Sequence, residues 1–261
     1  MKSTIAFANT GDRAGNRILA RGSSTSAYSI RLATTRQEIR EAQTMRFLVF
    51  NVELGEGLES SYETLRDEDP FDAVCDHLIV QHVPTREIVG TYRLQTGAMA
   101  AMNRGFYSDA EFDLTPFAGF ADEIVELGRA CVASQHRNMA VLGLLWRGII
   151  DYAIGKGCRY LMGCSSITST NPADGAAAYL QLSRRYLVAP HLRTTPRPAY
   201  VCDMHRVADP GPTLPKLLRA YLAMGARICG APALDREFKT IDFLTLHDLQ
   251  HVQTRETAKS E

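Results

Sequence analysis

The sequence predicts an α/β domain in which a mixed, mostly antiparallel sheet is flanked by helices. In the front half, residues 75–83 and 87–95 are predicted strands joined by a turn at Pro84-Thr85. In the back half, a predicted strand at 123–133 is followed by an amphipathic helix at 141–154 and a short strand at 160–164. Apolar residues make up 45% of the 261 residues, enough for a substantial core.

Local patterns predict the other elements. Thr35 and Glu38 match a capping box, and apolar residues with helical spacing follow as far as Phe50. Residues 54–70 are acidic and contain glycine, which indicates a loop or lid, whereas 97–119 show no clear pattern. The remaining predictions are strands at 28–33, 186–192, 200–204 and 241–246, an extended segment at 227–229, and helices at 173–183 and 215–224.

We expect three parts along the chain. Residues 1–27 are rich in Ser, Thr, Gly and Ala without periodicity, which is typical of a flexible tail. Residues 28–208 form the main domain. Asp209-Pro-Gly-Pro interrupts the pattern, so we expect 209–261 to be a helix–strand extension packed on the same domain.

Composition excludes several classes of protein. The 29 basic and 29 acidic residues balance, which argues against binding of nucleic acid. No apolar run approaches the roughly 20 residues that span a bilayer, and no signal-peptide core follows Lys2. We therefore expect a cytoplasmic protein, and contact with the inner face of the membrane stays open. The six cysteines lack metal-site spacing, so we expect free thiols and no metal.

Charged residues inside apolar patterns are candidates for a site. Arg46 lies on the apolar stripe of its helix, and a buried guanidinium needs a carboxylate or an anionic ligand. Asp69 and Asp72, three residues apart in the acidic loop, would pair with Arg46 or bind the ammonium group of a cationic substrate. Solvated loop acids are the alternative.

Glu126 and Arg129 interrupt the apolar strand 123–133. Strict alternation places them on opposite faces, but a bulge at Gly128 would bring both to one side. A structural ion pair and a functional site both explain such a pair. Residues 135–140 then lead into a helix, whose first backbone N–H groups would face a phosphate.

Several of these segments together resemble a known family. The motifs at 126–132, 136–137, 144–148, 160–165, 217–225 and 235–243 resemble those of the ornithine-lipid acyltransferases, the L-ornithine Nα-acyltransferase branch of the GNAT acetyltransferase superfamily. The resemblance covers about residues 28–250. It implies a GNAT-like fold and transfer of a 3-hydroxyacyl group to the α-amine of an amino acid, ornithine above all, to give a lyso-ornithine lipid.

A second resemblance, to acyl-homoserine lactone synthases, rests on four residue pairs. The pairs are Arg46 with Phe50, Asp69 with Asp72, Gly90 with Arg93, and Glu126 with Arg129. Both families take acyl groups from acyl carrier protein. The resemblance therefore implies acyl carrier protein as partner, its phosphopantetheine thioester as donor, and no tightly bound cofactor.

One departure supports this donor. Acetyl-CoA-using relatives carry an Arg-x-x-Gly-x-Gly loop for pyrophosphate, and here that frame places Ala140 and Leu142 at the glycine positions. A carrier thioester has no ADP pyrophosphate, so the change fits it. Loss of a tight loop without functional meaning is the alternative.

The family chemistry assigns a role to each candidate residue. Glu126 is the expected base, and Tyr179 the expected proton donor to the leaving thiol. Backbone amides near Cys131 and Val132 would polarise the thioester carbonyl, with Arg137 also binding the donor. The polar network that holds the amino acid and orders the lid would comprise Arg46, Asp69, Asp72, Arg93 and Arg129.

Three other interpretations stay open. The first is another N-acyl amino acid synthase or an acyl-homoserine lactone synthase. The second is a non-catalytic module that binds lipid or carrier protein, because a fold does not fix function. The third is an acetyl-CoA enzyme.

Overall fold

Eight strands form one sheet in the computed structural model, which describes residues 27–250. The strands are β1 (Tyr28–Leu32), β2 (Asp76–His82), β3 (Ile88–Thr96), β4 (Ile124–Val132), β5 (Tyr160–Thr168), β6 (Arg227–Ile228), β7 (Ala233–Asp235) and β8 (Thr240–Asp248). Their order is β1-β2-β3-β4-β5-β8-β6, and β7 also pairs with β8. All pairs are antiparallel except β4 with β5. The predicted mixed, mostly antiparallel sheet is thus confirmed.

Helices cover both faces of this sheet. They are α1 (Arg36–Phe47), α2 (Ser61–Thr64), α3 (Gly97–Met102), α4 (Met139–Gly155), α5 (Pro172–Tyr186) and α6 (Lys216–Met224). The capping box predicted at the start of α1 is confirmed, because the Glu38 amide donates to the Thr35 hydroxyl and the Thr35 amide to the Glu38 carboxylate. A π-helical segment, Leu48–Glu53, continues α1. No helix within 27–250 is long and apolar enough to cross a bilayer.

Successive side chains of β2 point to opposite faces of the sheet and so pack against helices of two different layers. Leu78 and Val80 pack in the cluster that contains Leu145 of α4, whereas Ile79 packs with Met45 of α1. All five side chains are buried. The sheet is therefore covered on both faces, and a ligand reaches its centre only where two strands separate.

A bulge in β4 creates that separation. Thr91 lies opposite Cys131, but Arg93 lies opposite Gly128, so β4 contains one extra residue. The bulge predicted near Gly128 is confirmed, although the residue with left-handed backbone is Arg129, at φ 52°. Pairing of β4 with β5 stops at Glu126, and the two strands part beyond it.

The C-terminal segment supplies an internal strand. β8 pairs with β5 along its full nine residues, from Tyr160 opposite Asp248 to Thr168 opposite Thr240. Residues 209–250 therefore complete the main sheet. The boundaries at 27/28 and 208/209 stay predictions, and most of the predicted N-terminal tail lies outside the described residues.

Two predicted strands are wrong. Tyr186 is the last residue of α5, Pro190–Leu192 is a 3-10 turn, and Leu187 and Val201 form only isolated bridges. Pro190 and the other prolines of this region lack the N–H that a ladder needs. The strand expected to end at 164 continues to Thr168, and neither β7 nor α3 was predicted.

Candidate active site

A cavity of about 400 Å³ opens where β4 and β5 part. Residues 126–130 of β4 and 161–166 of β5 line it, together with residues of the 107–111 segment and of α6. The lining falls into a charged set and an apolar set, which suits a ligand with one polar and one fatty part.

Behind this cavity three arginines and three aspartates form one buried network. Arg46 is fully buried and donates to Asp72 at 2.8 and 3.0 Å and to Asp67 at 2.8 Å. Arg93 donates to both oxygens of Asp69 at 2.7 Å. Burial raises the pKa of Asp72, but the Arg46 guanidinium outweighs this effect and holds that pKa well below its usual range.

The network joins all five residues predicted from the resemblance. Arg129 completes it, with its guanidinium 3.2 Å from Asp69 and 3.2 Å from Asp67. Arg93 and Arg129 also line the cavity, whereas Arg46 and the aspartates do not. Asp67 was not predicted, because its only signal in the sequence is its place in the acidic loop. Because three positive charges meet three negative ones, the network is balanced without a ligand.

Glu126 is the last residue of β4 that pairs with β5, and it is only 5% exposed. Its two oxygens accept the backbone N–H groups of Tyr107 at 2.7 Å and Ser108 at 2.8 Å. Burial raises the pKa of Glu126, and these hydrogen bonds only partly offset that effect. A carboxylate of raised pKa at the point where the strands separate is suited to accept a proton.

A second acidic group in the cavity wall was not predicted as part of the site. Glu111, Asp235 and Asp242 are all buried, and one oxygen of each lies within 4.8 Å of the others. Burial, with the nearby Asp242, raises the pKa of Glu111 to about 9. Burial likewise raises the pKa of Asp242, to about 6. This spacing would hold a cation. The signal was the 235–243 motif, which suggested relatedness but no role.

Apolar side chains line the other part of the cavity. Tyr92 and Leu161 come from the sheet, and Leu218 and Tyr221 come from α6. Trp146 of α4 also lines the cavity and contacts the Tyr221 ring at a centroid distance of 6.0 Å. Helix α6, from the C-terminal segment, thus forms part of the cavity wall.

Comparisons with known proteins agree with this architecture. The acetyltransferase (GNAT) domain family matches residues 45–147. The L-ornithine N(alpha)-acyltransferase of Rhodobacter capsulatus is 34% identical over 237 residues, which cover 86% of this chain and 91% of the relative. That of Brucella abortus is 32% identical, covering 95% and 92%. The chain belongs to the L-ornithine N(alpha)-acyltransferase family. It is therefore an acyltransferase.

Solved structures show the same fold at low identity. The AHL synthase LasI superposes with a TM-score of 0.50 at 12% identity, over 86% of this chain and 91% of that one. FeeM, an N-acyl amino acid synthase from uncultured soil microbes, gives 0.51 at 12% identity, over 85% and 91%. These likenesses support the GNAT-like fold alone.

The structure places the expected donor-binding residues of this acyltransferase outside the cavity lining. Cys131 packs against Met45 and Ile79 in the core, and burial raises the pKa of its thiol to about 12. Val132 is half-buried, and its carbonyl accepts from Arg137 at 3.0 Å. The β4 backbone that borders the cavity lies at 127–130 instead.

The start of α4 is occupied by the chain's own side chains. Asn138 accepts the amides of Ala140 and Val141, at 3.0 and 3.1 Å. Arg137 is exposed and forms an ion pair with Glu53 at 2.5 Å. Two of the amides that a GNAT helix could offer to a pyrophosphate are therefore already used.

Tyr179 lies on α5 and does not line the cavity. Its ring is half-buried against a cluster that contains Leu182 and Ile241. The proton-donor role expected of Tyr179 stays a prediction, and this position gives it no geometric support.

Proposed function

We propose that this acyltransferase transfers a 3-hydroxyacyl group from acyl carrier protein to the α-amine of ornithine, giving a lyso-ornithine lipid. The observation that carries the proposal is a single cavity, lined by an apolar set and an acidic set of side chains, with Glu126 where β4 and β5 part. The names of the curated relatives support ornithine as acceptor. We also propose that the reaction takes place in the cytoplasm.

The apolar set suits the acyl chain. Tyr92, Trp146, Leu161 and Leu218 offer a surface that a fatty chain covers favourably, because burying apolar area contributes about 25 cal/mol per Å². Residues 127–130 of β4 have lost their partner in β5. Because N–H groups alternate between the two sides of a strand, some of them face this gap and would polarise the thioester carbonyl.

The capped start of α4 supports a carrier-bound donor. An acyl-CoA brings a pyrophosphate that needs free amides and room close to the backbone. Here Asn138 occupies two amides and Glu53 occupies Arg137. A phosphopantetheine arm carries one phosphodiester in place of a pyrophosphate, so it needs fewer free N–H groups at the start of α4.

Direct aminolysis balances with Glu126 as the base. The α-amine nitrogen attacks the thioester carbonyl carbon, so that a C–N bond forms and the C–S bond breaks. The amine proton passes to the Glu126 carboxylate, and the pantetheine sulfur leaves as a thiolate that takes a proton from water. Arg129 lines the cavity, and its ion pairs with Asp67 and Asp69 involve only Nε and one terminal nitrogen. The remaining N–H donors of its guanidinium would bind the carboxylate of the amino acid.

The test is a purified reaction with 3-hydroxyacyl carrier protein and ornithine, followed by mass spectrometry. The wild type should form 3-hydroxyacyl-ornithine, and Glu126→Gln should lower kcat by roughly 10²-fold or more, within the range for loss of a general base. Acyl-CoA in place of the carrier should be a poorer donor. Equal turnover by Glu126→Gln would refute the base, and no product from folded wild-type enzyme would refute the function.

A further inference from the structure

The acidic group of Glu111, Asp235 and Asp242 has no charge partner in the part of the chain that is described. No ion pair within 27–250 joins an arginine or lysine to any of the three. Arg129 is the positive group that acts on Glu111 through space, but it forms its ion pairs with the aspartates of the network. The described residues therefore supply no cation to these three carboxyl groups. Burial raises the pKa of Glu111 and the pKa of Asp242, and a cationic ligand bound among them would favour their ionised forms.

Two buried acceptor atoms point to the same ligand chemistry. Asp242 is 4% exposed, and its Oδ1 accepts no N–H group of the described residues; the groups that hydrogen-bond its carboxyl are the hydroxyls of Ser166 and Thr240 and the carboxyl of Glu111. Gln95 is 2% exposed and also lines the cavity, and its Oε1 likewise accepts none. Buried acceptors are rarely left unfilled, so a ligand with several N–H donors fits this cavity.

The acidic group is also close to the expected base. The Ser108 amide donates to Glu126 at 2.8 Å, while the Ser108 hydroxyl lies 3.6 Å from the Cys164 thiol. That thiol lies 3.9 Å from Oε2 of Glu111. Ser108 and Cys164 thus link the two acidic positions through a chain of contacts. An amino acid with amines at both ends of its carbon chain would meet a carboxylate at each.

We propose that Glu111, Asp235 and Asp242 form the subsite that binds the side-chain ammonium of the acceptor amino acid. This inference rests on the proposed function and assigns to it the residues that select a diamino acid. The alternative suggested by the sequence, with Asp69 and Asp72 as the ammonium site, loses its support because arginines already occupy both.

An ammonium group fits the available oxygens better than a divalent metal does. Oδ1 of Asp235 already accepts the amides of Glu237 and Phe238, at 2.8 and 2.9 Å. Oδ2 of Asp242 accepts the Thr240 hydroxyl at 3.1 Å. Ca²⁺ and Mg²⁺ seek about six or more oxygen ligands, whereas an ammonium needs three acceptors.

The experiment compares ornithine with norvaline, which lacks only the terminal amino group. With 3-hydroxyacyl carrier protein as donor, the wild type should favour ornithine in kcat/KM by roughly 10²-fold or more. Glu111→Gln and Asp242→Asn should each lower that ratio by roughly tenfold or more, mainly through KM. The matched control Asp122→Asn removes an exposed acid outside the cavity and should leave the ratio unchanged.

Two further measurements keep the test decisive. Ornithine, but not norvaline, should raise the Tm of the wild type, and Asp242→Asn should abolish that shift; this holds even without turnover. Equal use of ornithine and norvaline by the wild type would overturn the subsite while leaving the acyl transfer intact. Stoichiometric binding of Ca²⁺ or Mg²⁺ alone, lost in Asp242→Asn, would identify a metal site and also overturn it.

Discussion

Replacing Arg46 with methionine tests whether the buried network holds the region behind the cavity together. Methionine has a similar length but no charge, so Asp67 and Asp72 would lose their main shared partner. Both aspartates are buried, and burial makes an unpaired carboxylate costly. The perturbation therefore removes one charge from a set of three positive and three negative groups.

The contacts of Arg46 set the expected size of the effect. Removing one member of a buried ion pair costs about 3–5 kcal/mol. Arg46 contacts two carboxylates, but Asp72 keeps Arg93 at 3.2 Å and Gln43 at 3.0 Å, which limits the loss. We expect a decrease of about 3 kcal/mol in the free energy of unfolding near pH 7.

Urea denaturation of the wild type, Arg46→Met and Arg46→Lys provides the measurement. Lysine keeps the charge but not the bidentate geometry, so its variant should lie between the other two. Because the folded-state pKa of Asp72 is depressed, its contribution is present above the unfolded value near 3.9 and is lost as pH falls. The difference between wild type and Arg46→Met should therefore narrow below about pH 4. A loss under about 1 kcal/mol at pH 7 would refute the reasoning.

Three further outcomes are expected. A Cβ added at Gly163 would lie 2.4 Å from the Leu127 carbonyl oxygen, so Gly163→Ala should lower the free energy of unfolding, measured by urea titration, by about 1–3 kcal/mol. The control is Gly143 on α4, where a Cβ would meet no atom within 4 Å outside the backbone of its own helix. Gly143→Ala should raise the free energy of unfolding by about 0.5–1 kcal/mol. Tyr179→Phe should keep the wild-type kcat, and a loss of tenfold or more would restore Tyr179 as a proton donor. Because burial raises the pKa of Glu111 to about 9 from its ordinary value near 4.5, the folded state holds a proton there that the unfolded state has released, and stability falls as pH rises through this window. This one proton changes the folding equilibrium constant by at most tenfold per pH unit, and Glu111→Gln should remove that part of the decline in stability. If the free energy of unfolding of Glu111→Gln depended on pH as that of the wild type does, this would count against a protonated Glu111.

Periodic and capping signals predicted most of the fold because they are local. The Thr35 and Glu38 pair determined the start of α1, and the apolar spacing of 141–154 predicted α4. The failures lie where partners are distant in sequence. Leu187 and Val201 looked extended, but whether they join the sheet depends on neighbours that local composition does not reveal.

The site was predicted in part for the same reason. Glu126 and Arg129 were singled out because they interrupt an apolar strand, and the family motifs contain both, whereas Asp67 and Glu111 belong to loops that have no periodic signature. The bulge was expected at a glycine, yet the left-handed residue is Arg129, whose guanidinium is held by Asp67 and Asp69. Tertiary ion pairs of this kind override the local preference of the backbone.

The internal position of β8 affects how the enzyme matures on the ribosome. When β5 has been synthesised, its outer edge stays open until residues 240–248 emerge. An open strand edge is a template for association with other chains, so the nascent protein passes through a stage at which it needs shielding. Asp242 and α6 emerge in the same late portion. The cavity wall therefore lacks Asp242 and its β8 neighbours until residues 240–248 have left the ribosome.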